Sequence, residues 1–487
     1  MSKEPPNYYK LMYRFRSIYN LLDGHSELEN QEIYFAPSRY FNDPMEGFLD
    51  IFWDGDSIVW ENLLRHFLMC LEHVFALNTV VGEKIQIKAV QIPVFKNRSS
   101  YNSEAAKEVH SKIEEIFFCY DYIKNLPDSL ASRTNTIRRD ELITYLRLVH
   151  IYALQVITSV YQKRGLLGEK TSRKTFADLE NFIRGNDTLI EILNRAEKDS
   201  LGTAELGSVL FSIAGKVSTE LNLLTAFQDS KLSLNSNKFF LLYEFSEAYV
   251  SRIEEMVYPD WYTACFMSSC DNASVWSHYG EQHKGVCLKF NTDIVGNEIQ
   301  FNIERIRGYK GSGPVIGNML HTFYKVNYEN KHVEIDFFRS LGRLQVFMLR
   351  SHWYTHRNGN LSACADPISN DTEIWDRWHS SHWNSFYRGA TTKLKDWSYE
   401  NEYRLILTNM LHDFDTVESR KLKYDFNSLE GIIFGIKTTA EHKLKIIKIV
   451  DEKCKKYNRK DFNFYQAYYS KESGKIEYSL LGLIKQD

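Results

Sequence analysis

The stretch Tyr399-Glu400-Asn401-Glu402-Tyr403-Arg404, entered through Lys393 and Trp397 and followed by Leu405-Ile406-Leu407, decides how this chain is read. Two carboxylates and an arginine fall close together in it. In an extended strand successive side chains alternate faces, so Glu400, Glu402 and Arg404 are expected on one side and Tyr399, Asn401, Tyr403 and Leu405 on the other. The expectation is a strand with a chemical edge beside a buried one. A solvated strand face carrying an internal ion pair would have the same sequence and little energetic consequence. Trp397 and Tyr399 tilt the reading toward a site.

Outward from that strand, the chain reads as β structure interrupted by helices. Tyr13-Arg14-Phe15 is expected as a short strand, 17–22 as a helix start, and 33–36 as a strand that runs into the Asn42-Asp43-Pro44 turn. From about Trp60 to Tyr258 the period becomes helical, with amphipathic stretches over 105–126, 138–162, 176–198 and 204–227. β character returns over 261–267 and 285–290, and a mixed, aromatic-rich segment spans 309–388. A short strand at 431–435, a helix over 440–456 with a lysine-rich outer face, and a strand pair within 462–483 follow. The expected organisation is an α+β core domain of residues 1–55 and 258–487, interrupted by a helical insertion domain of 56–257.

At 487 residues, 43% hydrophobic and 25% charged, the chain is long enough for such a division. Its formal net charge of -3 provides no general positive field to recruit nucleic acid or an anionic membrane. The seven cysteines are scattered and never spaced Cys-x-x-Cys, which suits reduced, mostly buried thiols. No apolar signal core follows Met1, and no run approaches the ~20 apolar residues that span a bilayer. A cytoplasmic protein without a membrane partner is expected.

Four clusters set polar residues beside aromatics and turn formers, as sites on loops and strand ends do: Tyr13-Arg14-Phe15; Phe41-Asn42-Asp43-Pro44-Met45-Glu46; Trp276-Ser277-His278-Tyr279-Gly280 with His283-Lys284-Gly285; and Lys393 through Arg404. The Asn42-Asp43-Pro44 turn also serves to tie down its own loop, and His278 also reads as a packing histidine. Only His352 and His356 have the i, i+4 spacing that puts two imidazoles on one helical face, and the His-Glu-x-x-His glutamate is missing. No metal site is expected. The common phosphate-loop, dinucleotide and hydrolase motifs do not occur in the sequence.

In order, Tyr13-Arg14, Phe41 to Glu46, Trp276 to Gly280 with Gly285, and Lys393-x3-Trp397-x2-Glu400-x-Glu402-x-Arg404 resemble the signature of the DUF2971 family, a domain of unknown function common in bacteria and frequent near phage-defence genes. The resemblance covers roughly 8–50 and 258–480. It implies an intracellular effector whose helical insertion is peculiar to a subgroup. An arginine near the first strand, a serine after a later one and a Glu-x-Glu on a late strand are also similar to the arrangement in ADP-ribosyltransferases.

That second resemblance implies a mixed-sheet core that uses NAD to modify a nucleic acid or protein acceptor. Arg14 would hold the dinucleotide phosphates in a forked contact. Ser268 or Ser269 would order the site, and Tyr13, Trp276 or Tyr279 would stack on nicotinamide. Glu402 would stabilise the ribosyl cation, Glu400 would position or deprotonate the acceptor, and Asn42 and His278 would line the same cleft. Two other readings stand beside it. One is a metal-dependent nuclease using Asp43, Glu46, Glu400 and Glu402 as ligands with Lys393 near the scissile phosphate. The other is a non-enzymatic sensor or adaptor that binds a protein partner through the helical insertion.

Overall fold

The computed structural model describes residues 9–43, 45–97, 100–101, 103–167, 190–192, 194–195, 204–228, 236–311, 313–410 and 412–484. The chain divides into two compact units. Met1–Phe48, Asp260–Val333 and Tyr387–Asp487 form one, and Leu49–Pro259 with Glu334–Phe386 form the other.

The first unit is built on one mixed sheet. Its main strand order is Tyr324–Lys325, Glu402–Thr408, Trp261–Met267, Tyr9–Arg16, Val286–Val295, Leu429–Phe434, Asn463–Tyr469 and Ile476–Leu480. Along this path only Leu429–Phe434 and Asn463–Tyr469 run parallel. Parallel neighbours need a crossover, and helix Ala440–Tyr457 provides it. Thr439 caps that helix by accepting from the His442 amide at 3.3 Å, and Asn458 ends it in the left-handed region at φ 51°.

Strand alternation gives the sheet two different faces. Met12, Phe266, Leu288, Phe290, Leu405 and Ile432 belong to the larger core, which the crossover helix closes with Ile446, Val450 and Cys454. Each such buried aliphatic or aromatic side chain contributes about 1.5–3 kcal/mol. Tyr13, Phe15, Met267, Trp276, Cys287 and Ile433 form a smaller cluster. The lysine-rich face of the crossover helix is not wholly solvated. Lys453 is buried, and its ammonium donates to the Glu29 carbonyl at 2.6 Å and to Gln31 Oε1 at 2.9 Å.

The second unit is mainly helical and has a piece that the sequence reading placed in the core. Glu334–Phe386 packs with the helices because its aromatics find partners there: Phe337 against Trp53 at 5.4 Å, Phe338 against Trp60 at 4.9 Å, and Trp353 against His66 at 5.1 Å. The single helix expected over 105–126 is two, Glu104–Phe117 and Asp121–Ala131. The break brings Phe117 and Tyr120 onto the same ring, Tyr152, at 5.6 and 5.1 Å. Arg139–Lys163 and Ala204–Gln228 match expected helices, while most of 176–198 lies outside the described residues.

Against the sequence expectation, helix Arg139–Lys163 is long and apolar enough to cross a membrane by length and composition. Of its most apolar window, 61% is buried inside the protein, as in the core helix of a folded domain. All seven cysteines are free thiols. Five are buried, Cys265 is partly so, and Cys119 is exposed.

Candidate functional site

Tyr9–Arg16 and Trp261–Met267 pair at Tyr13 and Met267. Farther along, Thr263 and Tyr262 pair instead with Ala36 and Pro37. The two strands therefore part beyond Tyr13, and a cleft of about 540 Å³ opens there, lined among others by Tyr13, Arg14, Asn42, Glu46, His278, Tyr279, Lys393 and Glu402. Three of the four sequence clusters that meet here are far apart in the chain from the fourth. The sheet register unites them, since Met267 pairs with Tyr13 on one side and with Glu402 on the other.

One wall of the cleft is a buried ionic cluster. Lys393 Nζ lies 2.7 Å from Glu400 Oε2, 3.4 Å from Glu402 Oε2 and 3.3 Å from Glu46 Oε2. Arg404 Nε donates to Glu402 Oε1 at 2.9 Å, its Nη2 pairs with Glu46, and its Nη1 donates to the Ala390 carbonyl at 2.6 Å. All five side chains are buried, with Glu402 at 1% exposure and Arg404 at 0%. Three carboxylates thus share two cations, so full ionisation would leave an uncompensated negative charge in a desolvated place.

The glutamates respond differently. Burial opposes ionisation of Glu402, but Arg404 and Lys393 outweigh it and hold the carboxyl down at about 2. Glu46 is pushed up to about 7, chiefly by burial and by Glu402, against the pull of Arg404 and Lys393. Burial also raises Glu400, against Lys393. The surplus proton of the cluster is therefore assigned to Glu46 or Glu400. Burial alone would lower Lys393, yet Glu402, Glu46 and Glu400 raise it, so it remains an ammonium.

Arg14, on the lining of the cleft, is a further buried cation. Its Nη1 donates to the Cys265 carbonyl at 3.2 Å and its Nη2 to the Tyr34 carbonyl at 3.1 Å, while Nε is buried and has no hydrogen-bond partner among the described residues. Burial first, and then Arg16, lowers it to about 10. The terminal nitrogens expected to fork around phosphate are already bonded to backbone, which leaves Nε as the unsatisfied donor.

Helix Ala273–Tyr279 turns His278 and Tyr279 toward the cleft and Trp276 toward the interior. Asn272 caps it, accepting from the Ser274 and Val275 amides at 2.8 and 3.2 Å. His278 is exposed, lines the cleft and lies 3.3 Å from the Tyr399 hydroxyl through Nδ1. Tyr279 donates its hydroxyl to Glu400 Oε1 at 2.8 Å. Trp276, two positions from His278, faces the interior.

Several sequence expectations change here. Trp276 has 0% exposure, donates Nε1 to the Cys270 carbonyl at 2.8 Å and meets Phe15 edge to face at 4.9 Å, so it packs the core and has no free face for nicotinamide. Glu400 is not on the strand. It ends the 3-10 helix Lys395–Glu400, and Asn401 reverses the chain at φ 48° so that the strand begins at Glu402. Asparagine tolerates that left-handed conformation better than most residues. Glu400 consequently stands behind Tyr279 and Lys393 and does not line the cleft.

Ser268 also lies off the cleft. Its amide and hydroxyl both donate to the Asn401 carbonyl, at 3.2 and 3.4 Å, so it holds the turn that starts the Glu402 strand. Ser269 bonds Asp271 at 2.6 Å. In the Asn42-Asp43-Pro44 turn, Asp43 accepts from the Met45 amide at 2.9 Å and Asn42 is exposed at the cleft, while Pro44 lies outside the described residues. Glu46 and Lys393 were part of quoted motifs but were not assigned to the NAD site. Their signal is position: Glu46 closes one motif and Lys393 opens another.

Residues 275–405 match the model of a family described as a protein of unknown function, DUF2971. This is the family that the ordered clusters resemble, and the matched segment carries His278, Tyr279, Lys393, Glu400, Glu402 and Arg404. No curated protein and no solved structure matches the chain.

Proposed function

We propose that the first unit is an enzyme that binds NAD in this cleft and transfers the ADP-ribosyl group to a nucleic acid or protein acceptor, as an intracellular effector in the phage-defence setting that the family resemblance implies. The observation that carries the reading is the gathering of Tyr13, Arg14, Asn42, His278, Tyr279 and Glu402 around one cleft.

In the proposed step the glycosidic C–N bond breaks and nicotinamide leaves with the bonding electrons. Glu402, kept anionic by its two cations, stabilises the ribosyl cation through space. The acceptor oxygen or nitrogen adds to the cation and gives its proton to Glu46, which lines the cleft and titrates near neutrality. Glu400, bonded to Tyr279 and Lys393, sets the positions of both. Arg14 presents its Nε to a phosphate oxygen, and Tyr13 or Tyr279 packs against nicotinamide.

The burial of Glu402 between Arg404 and Lys393 favours a second reading, in which the ionic cluster is an internal brace of a sensor or adaptor. The nuclease reading has less support, because Lys393 and Arg404 already occupy the space between Glu46, Glu400 and Glu402, and Asp43 is engaged in its own turn.

The deciding experiment incubates the full chain with adenylate-labelled NAD and, separately, RNA, DNA or cell protein. Nicotinamide release or a labelled macromolecule is expected with wild type and not with a folded Glu402→Gln variant. Absence of both turnover and NAD binding overturns the enzyme reading. Turnover that survives Glu402→Gln overturns the assignment of that residue.

A further inference from the structure

The second unit contains a cleft of its own, of about 650 Å³, within the range of small-molecule sites. Arg65 reaches it from helix Ser57–Val81, Glu114 from helix Glu104–Phe117, and Arg350 and His352 from the π-helical turn Leu349–Tyr354. His356 and Arg357 follow that turn, and Lys96 completes the charged lining. The sequence reading put His352 and His356 on one helical face. In the structure Thr355 is extended, at φ -113° and ψ 128°, so the two imidazoles leave different kinds of backbone yet border the same cleft.

The charges of this lining do not balance. Glu114, the only carboxylate in the lining among the described residues, is 3.3 Å from Arg65 and 2.6 Å from Arg357. Arg65 is bound in addition to Glu61, which also lies 3.3 Å from His356. Those pairs consume the available carboxylates. Lys96 and Arg350, both exposed, make no side-chain hydrogen bond or ion pair among the described residues. Two unpaired cations on the lining of one concavity give it a local positive potential that favours an anion. A second observation concerns the backbone: Arg350 and His352 are presented from a π-helical turn, a rare conformation concentrated at functional sites.

We propose that this cleft binds a phosphate-bearing small molecule of nucleotide size, with Arg350 and Lys96 taking the phosphate oxygens and the Arg65-Glu114-Arg357 group forming a fixed wall. Two uncompensated cations call for more than one negative charge. A terminal phosphate supplies about 1.5 to 2 and presents the oxygens that a guanidinium fork matches. A simple carboxylate supplies one. The volume leaves room for a group beyond the phosphate, and the His352 and His356 rings border that room. This inference is independent of the NAD reading, since its residues all belong to the second unit.

The test is calorimetric titration of the full chain with ADP and, separately, inorganic pyrophosphate. It compares wild type, the Arg350→Gln/Lys96→Gln double variant and Lys471→Gln, an exposed charge change that lines neither cleft. Both substituted positions of the double variant are exposed, so its melting temperature should match that of wild type. The expected result is binding of at least one probe that the double variant weakens tenfold or more, that added salt weakens, and that Lys471→Gln leaves unchanged. Failure of wild type to bind either probe overturns the proposal. So does equal affinity in wild type and the double variant, which would place any bound probe elsewhere.

Discussion

Arg404 Nε lies 2.9 Å from Glu402 Oε1 in the buried wall behind the cleft that Glu402 helps to line. Burial leaves each charge dependent on its partners in the cluster, Glu402 on Arg404 and Lys393, and Arg404 on Glu402 and Glu46. Arg404→Met should therefore cost about 3–5 kcal/mol of stability, because it leaves three buried carboxylates with Lys393 as their one cation in the cluster. Adding Glu402→Gln to it should recover part of that loss, since neighbours in one network are not additive. Urea unfolding of the two single variants and the double variant measures this, and purely additive losses would contradict the coupling.

Glu46 should make stability fall with rising pH. Its folded value, about 7, lies above the ordinary glutamate range, so the folded chain holds a proton that the unfolded chain has already lost. The linked stability is fully present below about pH 4 and is lost as pH rises through 7. Glu402 has the opposite sign. Held at about 2, it contributes above the ordinary range and loses that contribution as pH falls through 2. Between pH 5.5 and 8.5 the melting temperature of wild type should drop relative to Glu46→Gln, and a constant difference between the two would refute the assignment.

Trp276 should behave as a core residue. Trp276→Ala is expected to cost about 3–5 kcal/mol, and Trp276→Phe should cost less because it keeps most of the packing against Phe15. A stably folded Trp276→Ala protein that had lost only ligand affinity would restore the stacking role expected from sequence. Paired melting and NAD-binding measurements distinguish these outcomes.

Gly285 has a steric reason to be glycine. A Cβ there would lie 2.3 Å from the Arg16 carbonyl oxygen and 3.0 Å from that of Gly280, both backbone atoms that cannot swing aside. The same segment is tied by Gly285 N to Gly280 O at 2.8 Å and by Gly435 N to Gly285 O at 3.0 Å. Gly285→Ala should destabilise by about 1–3 kcal/mol, as overpacking does. A melting temperature equal to that of wild type would show that the strands can separate at no cost.

Much of the fold was readable because its signals are local. Trp261–Met267 matches the expected strand, helix Ala440–Tyr457 ends one residue beyond its expected bound, and the final strand pair lies inside its expected span. Alternation and helical period depend on neighbouring residues, so one sequence suffices for them. The strand expected around Glu400 failed for a local reason too subtle for periodicity: a 3-10 turn closed by a left-handed Asn401 precedes Glu402. The assignment of 334–386 to the core failed because an aromatic-rich segment does not specify which aromatic surface it will meet.

The site was legible as a set of motifs but not as a set of roles. Arg14, Asn42, His278 and Glu402 do line one cleft, whereas Trp276 turned inward and Glu400 and Ser268 stand behind it. Side-chain direction on a short helix and at a strand entrance is set by packing, and packing is a long-range property.

By itself, the sequence determined the α+β character, the helical interruption and the four clusters in which charged residues concentrate. Only the tertiary structure decided that Glu46, Lys393, Glu400, Glu402 and Arg404 share one buried cluster, and that its three carboxylates have only two cations between them. Charges more than three hundred residues apart in the chain acquire that relationship when the sheet register brings them together and burial removes the water that would otherwise screen them.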